Sequence, residues 1–91
     1  MIIESEYIKI VEQLGLQSRL NKLKEEIFEL GQSVCHFQDG KVKFGDITSE
    51  MADVSILFAQ ITHLVGCEKE IINCIDYKRE KFYKMFIGEL N

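Results

Sequence analysis

Residues 17–37, QSRLNKLKEEIFELGQSVCHF, decide the fold class. Leu20, Leu23, Ile27, Leu30 and Val34 recur three and four residues apart, the period of one face of an α-helix. The chain contains no proline, so nothing forces a break in a long helix. Glycines and polar clusters punctuate it instead. A first helix is expected from about Ile3 to Leu14, stopping near Gly15. A second starts near Gln17 or Ser18 and runs to about Phe37. Gln38-Asp39-Gly40 ends it, and Lys41 to Gly45 reads as a loop. A third helix, capped by Asp46 or by Ser49, runs to Val65 before Gly66, and a fourth from about Glu68 to Ile87. The run Val54-Ser55-Ile56-Leu57-Phe58 is apolar enough for a strand, but its length and period favour helix. Short connections between helices of this length favour antiparallel neighbours. The expected class is therefore all-α: an antiparallel bundle of about four helices in one domain spanning 1–91.

A chain of 91 residues with 46% hydrophobic residues can supply a core, yet one this short gains from oligomerisation. Its formal net charge is −4, which argues against binding a nucleic-acid polymer. It does not argue against a nucleotide, because bound metal ions reverse the local charge of an acidic site. Cys35, Cys67 and Cys74 form no CxxC pair, and their odd number reads as reduced, core-filling thiols in a cytoplasmic protein. The amphipathic, acid-bearing start does not read as a secretory signal. No apolar run approaches the roughly 18–20 residues of a membrane span, so no membrane partner is expected.

The informative residues are charges on apolar faces. On the third helix Ile47, Met51, Val54, Leu57, Phe58, Ile61, Leu64 and Val65 form one stripe. Glu50 projects inside it, between Leu57 and Ile61, and Asp53 sits at its edge. On the second helix Glu26 borders the stripe, Glu29 lies one step further round, and Glu25 further still. Glu26 and Glu29 face roughly together, as do Glu50 and Asp53. Acids this close to a core are costly unless paired, hydrogen-bonded or bound to a metal. The fourth helix has the opposite sign: Lys78 falls inside the stripe of Ile71, Cys74, Ile75, Phe82 and Met85, and Lys81 flanks it. Two acidic pairs suit hard, oxygen-preferring cations such as Mg²⁺. Such ions would hold phosphate oxygens, and a lysine would neutralise further phosphate charge.

Plainer readings exist for each feature. Lys24, Glu25, Glu26 and Glu29 also fit a solvated helix face. Glu50 and Asp53 also fit first-turn acids favoured by the helix dipole, and Lys78 fits a side chain snorkelling to water. His36 reads as a helix-end residue and His63 as an ordinary bundle residue. A di-iron carboxylate bundle is set aside because Glu-x-x-His pairs are absent: Ser33 and Gln60 precede the histidines by three. No phosphate-cradling glycine loop of the P-loop type occurs.

Glu25-Glu26-Ile27-Phe28-Glu29-Leu30 resembles the EExxE element of the MazG-like, all-α nucleoside triphosphate pyrophosphohydrolases. Glu50-Met51-Ala52-Asp53-Val54 resembles the ExxD element that follows it in that family. Lys22 and Lys24 precede the first acids as lysines often do there, and Lys78-Arg79-Glu80-Lys81 is similar to the basic element of the last helix. Lys81 stands where an arginine is common. The resemblance covers roughly Gln17 to Lys84. It implies a MazG-like bundle assembling as a homodimer or homotetramer. It also implies cleavage of an NTP or dNTP to the monophosphate and pyrophosphate. Glu26, Glu29, Glu50 and Asp53 would be the catalytic acids holding Mg²⁺, for which Mn²⁺ can substitute. Glu25 would either join them or orient them. One of the acids, or the metal ion, would activate the attacking water, and Lys78 and Lys81 would contact the phosphates.

Phosphoribosyl-ATP pyrophosphohydrolases share the acid layout, but Val54 to Gln60 lacks the tyrosine-histidine pair expected there. A different class of function, a non-catalytic helical oligomerisation or interaction protein, also fits a bundle whose acids only set register. Base selection is expected to involve the first helix and neighbouring subunits. Phe28, Phe37, Phe44, Tyr77 and Tyr83 are each able to stack on a base or to fill core and interface. A nucleotide-pool housecleaning role is analogy only.

Overall fold

The computed structural model describes residues 1–90 and is helical throughout, with no strand among the described residues. The elements are α1 (Glu4–Gln38), α2 (Phe44–Val65) and α3 (Glu68–Leu90). Three helices stand where about four were expected. The two expected segments flanking Gly15 abut without a loop, so that α1 consists of two helices meeting at a kink at that residue. Gly15 has φ 82° and ψ 166°, a backbone conformation open essentially to glycine. The left-handed Gly66 (φ 74°, ψ 32°) ends α2, its N–H bonded to the Thr62 carbonyl.

Neither Asp46 nor Ser49 is the N-cap of α2. The helix starts earlier, at Phe44, and Asp46 in its first turn reaches back, its Oδ2 accepting the Lys43 backbone N–H at 3.1 Å. The acid thereby satisfies one of the donors left free at a helix start. Phe37 and Phe44 meet edge-on across the turn, ring centroids 5.4 Å apart.

The part of α1 after Gly15 packs antiparallel to α2, since their partners run in opposite order, Arg19 with Gln60 and Glu26 with Glu50, whereas before Gly15 they run in the same order, Tyr7 with Gln60 and Glu12 with His63. The facing positions alternate in steps of three and four. On α2 they are Ile47, Glu50, Val54, Leu57, Ile61 and Leu64, all buried or half-buried. On α1 they are Arg19, Leu23, Glu26, Leu30 and Ser33, likewise buried or half-buried. This is the spacing of a coiled-coil seam. The stripe expected on α1 is thus split. Leu23 and Leu30 face α2, whereas Leu20, Ile27 and Val34 lie on the outer face and stay exposed. Met51, Phe58 and Val65 are likewise exposed on α2. Among the described residues Val11, Ile47, Val54 and Leu57 are the buried apolar ones.

Among the described residues α3 packs along neither neighbour, and its apolar residues Ile71, Ile75, Phe82 and Met85 are exposed. Cys35 and Cys74 are exposed free thiols rather than core fillers, and only Cys67 is half-buried. The radius of gyration is 17.0 Å, against about 12 Å for a compact chain of this length. The exposed surface is 7563 Å², against about 5,500 Å² for a compact monomer of this size. No helix of the described residues is long and apolar enough to cross a membrane.

Candidate metal centre

Seam geometry places an acid of each helix in one layer. Glu26 is 7% exposed, the one buried charged residue among those described, while its sequence neighbour Ile27 is 49% exposed. Glu50 faces it from α2, half-buried, and Glu29 approaches from one turn further along α1. A carboxylate oxygen from each of Glu26, Glu29 and Glu50 lies within 4.8 Å of the other two. Glu26 Oε2 and Glu50 Oε2 are buried with no hydrogen-bond partner. A buried carboxylate oxygen without a donor is costly, and two in the same layer repel each other as well.

That crowding shows in proton affinity. Glu29, though exposed, is pushed above the ordinary carboxylate range, first by the charge of Glu26 beside it. Burial is the leading cause for Glu50, followed by the charges of Glu26 and Asp53. Lys22 supplies the nearest compensation, its Nζ 3.4 Å from Glu26 Oε1. The charges of Glu25 first, then a hydrogen bond to Glu26, raise the Lys22 ammonium above its ordinary value. One lysine does not offset three acids. The set is oxygen-only, anionic and partly dehydrated, the chemistry that hard divalent cations favour.

The other residues singled out from sequence fall in different places. Asp53 is exposed and outside the tight trio. It acts on Glu50 by charge and shares a crevice with Glu26, Arg19, Lys22 and Gln60. Glu25 is exposed, stands outside the trio and pairs at 3.7 Å with Lys22, the lysine that also pairs with Glu26. Lys78 and Lys81 are exposed on α3, and among the described residues no ion pair links either to the acids. Lys78 lies beside Ile75 and Phe82, and Lys81 beside Tyr77 and Lys84.

Sequence reasoning passed over Arg19, Tyr7 and Gln60. Arg19 Nη1 donates to Gln60 Oε1 at 3.4 Å, and Gln60 Nε2 donates to Tyr7 Oη at 2.7 Å. The signal was present: Arg19 shares the seam with Glu26, and Gln60 follows Asp53 by seven residues, two helical turns. His63, read as an ordinary bundle residue, pairs with Glu12 at 3.1 Å and ties the segment before Gly15 to α2.

Comparison of the chain with protein-family models, with curated proteins and with solved structures returns no match.

Proposed function

We propose that the chain is a divalent-metal-dependent nucleoside triphosphate pyrophosphohydrolase whose metal-holding acids are Glu26, Glu29, Glu50 and Asp53. The observation that carries this reading is the convergence of three carboxylates in a helix seam, two of them with a buried oxygen left unpartnered. The fit is chemical. These oxygens lack donors, and a hard cation satisfies them without adding a proton. When bound, Mg²⁺ or Mn²⁺ would neutralise phosphate charge and lower the pKa of water. The chain's own residues do the rest. Glu26, held by Lys22 and the packing of both helices, fixes the floor of the site. Glu29 and Glu50 complete the acidic layer, and one of these acids would accept a proton from an attacking water. Asp53 extends the acidic edge into the crevice. Arg19 and Lys22 place positive charge on the same crevice, where a polyphosphate would lie.

Assembly as a homodimer or homotetramer belongs to the same reading, and the exposed stripes of α1 and α3 support it. Lys78 and Lys81 contact phosphate only where α3 of a second copy lies across the acidic layer. A non-catalytic interaction protein is the competing reading, favoured by those same apolar faces.

Glu50→Gln and Asp53→Asn separate the two. Both variants are expected to lose Mg²⁺-dependent pyrophosphate release while keeping the helical circular-dichroism signal. Undiminished release in both would remove the metal-site assignment.

A further inference from the structure

The crevice that holds Glu26 and Asp53 reaches Gln60, and a separate cavity against the segment before Gly15 begins on the other side of that residue. Gln60 lines both cavities, one with Arg19, Glu26 and Asp53 and the other with Tyr7, Val11 and His63. From Asp53 to Gln60 is seven residues, about 10 Å along the helix axis. A triphosphate anchored at the acids and flanked by Arg19 and Lys22 therefore carries its nucleoside end toward Gln60.

The Gln60 amide is held in one orientation. A guanidinium only donates, so the atom facing Arg19 is the oxygen, and the amide nitrogen faces Tyr7. Each contact uses one site of the amide. One N–H and one lone pair are left over, a fixed donor beside a fixed acceptor in a half-buried crevice. Tyr7 is present only because the chain breaks at Gly15 and folds the first segment onto α2, where Val11 is 2% exposed.

We propose that Gln60, positioned by Arg19 and Tyr7, selects the nucleoside end of the substrate by pairing with a donor–acceptor edge of the base or with a sugar hydroxyl. This rests on the pyrophosphohydrolase reading above. An amide that served only to tie α1 to α2 would affect all ligands alike. A selecting amide affects most those that carry a nucleoside.

The test is equilibrium binding of the full chain, with Ca²⁺ as the ion, to ATP, GTP, CTP, UTP, their deoxy forms and inorganic tripolyphosphate. Wild type is expected to rank the nucleotides over at least about tenfold, the scale of one well-placed hydrogen bond. Gln60→Ala is expected to compress that ranking by a larger factor than it lowers tripolyphosphate affinity, which it reaches only through Arg19. Gln60→Glu keeps the partner of Arg19 but replaces the N–H by an acceptor, and is expected to reorder the ranking. Collapse of the ribo-to-deoxy ratio identifies a sugar hydroxyl, and collapse among bases a base edge. A ranking preserved in both variants would overturn the inference and leave the enzymatic reading standing. So would a loss of tripolyphosphate affinity in equal proportion. No binding of any ligand by wild type would overturn both.

Discussion

At the scale of single residues, the tension in this molecule is concentrated at Glu26 and its two neighbours. A carboxyl whose folded pKa lies above its unfolded value stabilises the fold while protonated. That contribution is fully present below the unfolded value and is lost as pH rises through the folded one. Glu29 and Glu50 are both shifted this way. In EDTA, the stability of wild type relative to Glu50→Gln is therefore expected to fall as pH rises through and above the ordinary carboxylate range. Paired urea titrations would show it, and a constant difference would mean the acids do not crowd. Divalent metal reverses the sign, since it competes with protons for the same oxygens. Free Mg²⁺ at about one hundred times its dissociation constant is expected to add about 2.7 kcal/mol to wild type. An equal gain in Glu50→Gln would place the ion elsewhere. Much of this was legible in the sequence, because acids inside a helical stripe are conspicuous. Their ranking was not. Glu26 was placed at the border of its stripe, yet it is the most buried of the acids, because the seam follows Arg19, Leu23, Glu26 and Leu30.

Among the elements, Gly15 and the seam carry the most weight. Gly15 turns the first segment of α1 back onto α2, where Val11 is buried and Tyr7 and Glu12 find partners. Alanine there meets no steric obstacle but is strained by the positive φ. Gly15→Ala is expected to cost about 1–3 kcal/mol, measured by thermal or urea unfolding. Equal or greater stability would mean the segment straightens at no loss. Leu57, 4% exposed in the seam, is expected to cost about 2–5 kcal/mol when cut to alanine. A change below 1 kcal/mol, on the order of a surface substitution, would contradict its place in the core. Helix positions were legible from period and glycine spacing. The break at Gly15 was legible too, but not that the two helices join there without a loop and fold back on one another, because that follows from the dihedral angles of a single glycine. The inner face of α1 was hidden for another reason. Hydrophobicity selected Leu20, Ile27 and Val34, which recur every seven residues and face outward.

For the whole molecule, an extended hairpin followed by an unpacked α3 leaves roughly 2,000 Å² more surface exposed than a compact monomer of this size would. Stable interfaces bury about 800 Å² per partner, so the excess is ample for self-association. Sedimentation is expected to give a dimer or tetramer, and Phe82→Asp to shift it toward monomer with loss of stability. A monodisperse wild-type monomer would contradict this and favour a different occupant of the apolar faces. Assembly geometry was not legible in the sequence, since α3 shows the same amphipathic pattern whichever chain covers it. The central claim is chemical. It is met most directly by pyrophosphate release from a panel of ordinary and modified NTPs and dNTPs, in Mg²⁺ and in EDTA. Release in Mg²⁺ that EDTA abolishes is the expected result. No release from any member of the panel in Mg²⁺ or Mn²⁺ would contradict it.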